Sequence, residues 1–365
     1  MTFAREKFAL AARKGVVYGF RMNQDRETFN GSELTICLSH YDLGTIESVR
    51  PYPRGSRKSP KVLISSQNAK YLFKRRARGK DDPHKVAFCH ELQHHLAAQN
   101  FPLPHLIRTI DGNTMLSINN HIYELFEFID AGMYDGTLDS TFDAGRILGL
   151  YHKLVLDFCN TYNPPTGSYH DASAVAEAIH NTVTSLPQES RPSLDVLKET
   201  VTFLEGAYLR CAAETEKEGL KEWPIQIVHG DWHPGNMLFR DRLVAAVIDY
   251  DSARMYQRVI DLANGALQFS IIGGSDDPTQ WPDGIDMTRL KRFMRGYDSV
   301  NVVSRSELMV LPYLMCEAAI AESVLPIAAT GSFGRMQGFP FLQMIQRKIS
   351  WVLGHLPELQ SIPLD

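Results

Sequence analysis

The sequence predicts an α+β protein in two lobes: a small antiparallel sheet with one helix, then a larger, mainly helical lobe. Three observations carry this. Residues 41–128 read as short β-rich runs broken by turn residues, with one helical segment at 82–96. Residues 142–356 hold most of the long helical periodicities. Between those helices, residues 224–252 break the pattern with two apolar runs, Ile225, Ile227 and Val228 and then 243–248, around a loop dense in His, Gly, Asp and Asn. At 365 residues, with 44% hydrophobic and 22% charged, the chain is long enough for two cores and ordinary in composition.

Residues 1–30 are expected to form a helical extension; Glu6, Asp25, Glu27 and Glu33 argue against a transit peptide. Residues 31–128 make the expected N-lobe. Segments 41–53, 61–65 and 69–76 read as a strand meander, and the turn 54–58, Arg-Gly-Ser-Arg-Lys, joins the first two strands. Gly55 and Ser56 there would let backbone N–H groups approach phosphates, although on its own the turn reads more plainly as a surface hairpin, and the chain contains no Walker pattern. Lys74 follows Leu72 and Phe73 on the third strand, so it is expected to be partly buried and to need an anionic partner. Asp82 caps the next helix and Pro83 suits its first turn. Val86, Phe88, Leu92 and Leu96 form its apolar side, with Glu91 in the middle. Segments 105–110 and 119–128, split by Asp-Gly-Asn, complete five strands, and 129–132 ends the lobe.

The C-lobe is expected over 133–365, with helices at 142–158, 172–184, 194–218, 287–297, 306–325 and 341–356. Glycine- and proline-bearing stretches at 163–167, 273–284 and 328–338 separate some of them. His152 reads as a core histidine. Arg254 and Arg258 flank a strand end and are candidates for an acceptor carboxylate, with surface positions as the plainer alternative. No repeat, heptad array or low-complexity tract occurs, and no run is expected to span a bilayer. Five cysteines, at 37, 89, 159, 211 and 316, contain no Cys-x-x-Cys pair. That excludes a disulfide framework or zinc ribbon and suits a reducing cytoplasm. Residues 1–128 hold 19 Lys plus Arg against 12 Asp plus Glu, and residues 129–365 hold 19 against 30. A basic half suits polyphosphate and an acidic half suits metal ions or a cationic acceptor; without interleaved aromatics, nucleic acid is a poor fit.

The loop after Val228 holds His229, Gly230, Asp231, His233, Gly235 and Asn236, and the second run delivers Asp249 and Asp251 beside it. Two carboxylates and a carboxamide at adjacent strand ends suit a hard cation such as Mg²⁺. His-Gly-Asp-x-His-x-x-Asn, with Asp249 thirteen residues after Asn236, resembles the aminoglycoside phosphotransferase, choline kinase and homoserine kinase-like superfamily, whose fold is protein-kinase-like. Gly230 and Tyr250-Asp251 depart from protein kinases in that superfamily's manner. The resemblance covers residues 41–263 and implies ATP and Mg²⁺ as cofactors and a small-molecule hydroxyl acceptor. It implies Asp231 as catalytic base, Asn236 and Asp249 as metal ligands, and Lys74, held by Glu91, on the phosphates. Residues 129–132 become a hinge, with backbone at Glu127 and Ile129 reading adenine, and His229, Asp251 and Asp261 support the loops. Asp261 is expected as a helix N-cap or loop brace, and His233 has no evident role. Two rival readings stand beside it. His90-Glu91-Leu92-Gln93-His94 is a literal His-Glu-x-x-His and would make a zinc metallopeptidase; a catalytically silent pseudokinase would keep ATP binding alone. Neither nucleic acid nor membrane is expected as a partner.

Overall fold

The computed structural model describes residues 26–159, 161–188 and 191–364. The expected N-terminal extension therefore lies outside the described residues except for 26–30. Alternating burial drives the sheet: in β2 (Lys61–Ser66) every second residue turns inward. Together with β1 (Ile46–Pro51), β3 (Lys70–Arg75), β4 (Leu116–Ile118) and β5 (His121–Glu127), it forms an antiparallel sheet in the order β1-β2-β3-β5-β4. Val62, Ile64, Phe73, Tyr123 and Leu125 give this lobe its own small core.

Two details differ from the sequence reading. A short helix, α1 (Gly31–Leu38), precedes the sheet, closed by a capping box between Asn30 and Glu33, and it buries Cys37. At eight residues it is too short to show a clear apolar period. The fourth strand is not 105–110. That segment runs beside β5 with a single bridge, Leu106 to Phe126, while β4 pairs with β5 through Asn119 and Asn120, both at positive φ. Asparagine tolerates this conformation, which a two-residue hairpin requires.

The helix α2 (Pro83–Ala98) is capped by Asp82, whose carboxylate accepts from His84 N and Lys85 N. Its Phe88, Leu92 and Leu96 belong to the core of the second lobe rather than that of the sheet. That lobe is built from α3 (Leu138–Leu154), α4 (Ser173–Ser185), α5 (Leu194–Lys217), α6 (Val259–Ser270), α7 (Met287–Asp298), α8 (Arg305–Thr330) and α9 (Gly338–Gly354). The α3 and α7 backbones touch: a Cβ on Gly145 would strike the Phe293 carbonyl, and one on Gly296 the Phe142 carbonyl.

Contrary to expectation, α8 is long and apolar enough to cross a membrane by length and composition. It is apolar all round because it is the central core helix, packed on α4, α5, α6 and α9. The strands of this lobe that bear on the site form two antiparallel pairs: β6 (Ile225–Val228) with β9 (Arg254–Gln257), and between them the hairpin of β7 (Met237–Arg240) with β8 (Leu243–Val247). Gly132 and Phe239 exchange two backbone hydrogen bonds of 2.8 Å and fix the segment between the lobes to β7.

Candidate active site

Asp261 organises the loop that leaves β6. Its buried carboxylate accepts from His229 N (2.6 Å) and Gly230 N (2.7 Å), and it faces His152 Nε2 at 3.3 Å. Asp261 is not an N-cap, because α6 starts two residues earlier and this carboxylate is spent on the loop. His152, in turn, meets the Tyr297 hydroxyl at 2.9 Å. Gly230 has φ +71°, and a Cβ there would lie 2.5 Å from the Ser252 carbonyl, so both conformation and space demand glycine. The His229 ring packs among Tyr151, Trp232 and Tyr250, and burial lowers its pKa. It supports the loop through its backbone N–H and its ring packing.

The turn then sets Asp231 against Asn236. Asn236 Nδ2 donates to the Asp231 carbonyl at 3.0 Å and to its Oδ2 at 3.1 Å, leaving Asn236 Oδ1 without a donor among the described residues. His233 gains a role that its sequence position did not disclose. Its Nδ1 accepts from Gly235 N at 3.0 Å, capping the turn that carries Asn236, while Nε2 lies 3.7 Å from Asp231 Oδ2. From β8 the chain delivers Asp249 in a left-handed conformation, φ +68°. Burial raises the pKa of its carboxyl, as does the nearby Asp251, with Lys74 and Lys80 acting the other way. An amide oxygen and a carboxylate short of positive charge fit a hard divalent cation.

Lys74 reaches the same volume, but its partner is not Glu91. Lys74 Nζ pairs with Glu124 at 3.3 Å, and the two residues lie opposite each other in the β3–β5 register. Glu91 instead accepts from Thr161 N at 3.0 Å. The reason is geometric: a cross-strand neighbour is already within reach, whereas Glu91 is turned toward the loop after α3. Glu124 is fully buried and also takes Arg76 (2.7 Å) and His90 Nε2 (2.8 Å). Burial opposes its charge, but Arg76, Lys74 and His90 hold its pKa well below the carboxylate range. Arg76 continues to Asp251 at 2.9 Å, with Lys80 at 3.6 Å. Burial would raise the Asp251 pKa; Arg76, Lys74 and Lys80 hold it down to about 2. A row of alternating charges thus crosses from the sheet to the second lobe.

The His-Glu-x-x-His segment does not assemble. His90 is turned to Glu124 and Thr114, His94 meets Arg108, and no metal-holding group of three His, Cys, Asp or Glu exists among the described residues. Gly55 has φ +74°, and its carbonyl accepts from Arg26; Ser56 Oγ accepts from Lys58 N at 3.3 Å. The Glu127 and Phe128 N–H groups bond to His105 and Lys70 carbonyls, and Ile129 accepts from Ala131 N. Sequence reasoning missed Glu124, Arg76 and His90. A carboxylate inside the apolar run of β5 was the available signal, since an acid there needs cations.

A family described as the phosphotransferase enzyme family matches residues 48–302. The chain belongs to this family. Among relatives of this phosphotransferase is a homoserine kinase of Zymomonas mobilis, 25% identical over 241 residues, 63% of this chain and 68% of that one. A homoserine kinase of Rhodospirillum rubrum is 23% identical over 298 residues, covering 79% and 82%. The phosphotransferase has the protein-kinase-like fold of several solved structures. An aminoglycoside phosphotransferase from Alicyclobacillus acidocaldarius superposes with TM-score 0.64 at 15% identity, covering 88% of this chain and 93% of that one. An amicoumacin kinase in complex with AMP-PNP, Ca²⁺ and Ami gives 0.63 at 11%, covering 92% and 96%.

Proposed function

We propose that this phosphotransferase is an ATP-dependent kinase of a hydroxyl group on a small molecule: an amino alcohol, an amino acid such as homoserine, a sugar or an aminoglycoside. The observation that carries this reading is the convergence of Asp231, Asn236 and Asp249 from one lobe with Lys74 from the other. Asp231 aligns the acceptor hydroxyl and takes its proton. The bond from the γ-phosphorus to the bridging oxygen of ADP breaks as a new P–O bond to the acceptor oxygen forms. Lys74, steadied by Glu124, orients the nucleotide phosphates, with backbone groups at Gly55 and Ser56 above them. Glu127, at the end of β5, and Ile129, in the hinge at 129–132, supply backbone groups to adenine. Asn236 and Asp249 hold Mg²⁺, which when bound offsets charge on the phosphates. His229, Asp251 and Asp261 keep the loops in register. The absence of disulfides among the five free cysteines fits a cytoplasmic enzyme.

The test is ADP release across a panel of hydroxylated metabolites, with and without Mg²⁺. Acceptor-dependent release that Asp231→Asn abolishes, while Mg-ATP still binds, supports the reading. ATP binding with no release for any acceptor would instead favour a silent pseudokinase.

A further inference from the structure

The two arginines beside the catalytic loop have opposite environments. Arg258 is saturated: it takes Glu307 through two nitrogens (2.7 and 2.9 Å), and also Asn301 and the Val302 carbonyl. Arg254 has no carboxylate within ion-pair distance among the described residues. Its Nε donates to the Ser252 carbonyl at 2.9 Å and its Nη1 to the Gly167 carbonyl at 3.3 Å, leaving Nη2 unspent. Two carbonyls fix the guanidinium plane without neutralising it. The sheet register gives its place: Arg254 lies opposite Val228, the last residue of β6, three positions before Asp231.

The charges around it distinguish an acceptor from a nucleotide ligand. Arg254 is sensitive to Asp261 and Asp231, and burial lowers its pKa. The cations acting on Asp249 are Lys74 and Lys80, from the first lobe. The phosphate side of the site thus has its own positive groups, and Arg254 adds one on the side of the base. A half-buried, planar, oriented guanidinium with no carboxylate in ion-pair contact suits the two oxygens of a carboxylate, which it binds in a fork.

Building on the kinase reading above, we propose that Arg254 anchors the carboxylate of the acceptor, making hydroxy amino acids, rather than the corresponding amino alcohols, the preferred substrates. The test uses matched acceptors differing only in that carboxylate: L-homoserine with 3-aminopropan-1-ol, L-serine with ethanolamine, and L-threonine with 1-aminopropan-2-ol. Wild type is expected to favour the acid in at least one pair. Arg254→Gln should lower that preference ratio roughly 10- to 100-fold, the range for losing a charged hydrogen bond, chiefly through KM for the acid. Arg254→Lys, keeping the charge without the fork, should fall between. Thermal unfolding matching wild type confirms that the variants are folded. Equal losses on both members of a pair would assign Arg254 to loop support or phosphate binding and overturn the proposal. Wild-type turnover of amino alcohols alone would overturn it while leaving the kinase reading intact. No ADP release with these pairs or any other hydroxylated acceptor would overturn both.

Discussion

The two sides of the site reach their geometry by different routes. On the side of Asp231, the loop and the carboxylate that holds its backbone, Asp261, come from one short stretch, 229–261. On the lysine side the essential contact joins strands fifty residues apart, through the pairing of Lys74 with Glu124. Local spacing encodes the first, and sheet register encodes the second. A motif can therefore specify half of a site, while the other half depends on how strands align.

Substitutions can break this comparison. The largest effect is expected at Asp231→Asn, which removes the proton acceptor and should lower kcat by about 10²- to 10⁴-fold with little change in Mg-ATP affinity. Glu124→Gln comes next. It leaves Arg76 and Lys74 without their shared anion, and loss of one partner from such a buried cluster costs about 3–5 kcal/mol, visible in denaturant unfolding, together with weaker nucleotide binding. Glu91→Gln, by contrast, should leave both nearly unchanged; a larger loss from Glu91 than from Glu124 would reverse the assignment of the lysine's partner. His233→Ala should fall between these two, lowering activity through a looser Asn236 while the fold melts almost as in wild type.

A further effect is in pH. Asp251 has a folded-state pKa of about 2 against an ordinary 3.8. The stability it contributes, about 2 kcal/mol, is present above the ordinary value and lost as pH falls through about 2. In Asp251→Asn the denaturation midpoint should depend less steeply on pH between those limits.

Much of the fold was legible because its signals are local. Asp82 and Pro83 announced α2, and the β-rich run at 61–65 announced β2. The loop from His229 through Asn236 stood out through the motif that carries the family resemblance. What escaped reading depends on tertiary placement. Residues 105–110 carry strand-like composition, yet they run beside the sheet because β4 takes the hairpin position. Glu91 has the sequence position of a lysine partner, but its side chain is committed to Thr161. Arg254 and Arg258 look equivalent in the sequence, and only their neighbours, two carbonyls against a carboxylate pair, tell them apart.

The crossing of α3 and α7 has a consequence for how such a scaffold diversifies. With hydrogen atoms alone on Gly145 and Gly296 facing the opposing carbonyls, no exchange of side chains can reset the gap between these helices. Any residue larger than glycine at either position would have to push two backbones apart, so this joint is inflexible while the loops between other helices can vary.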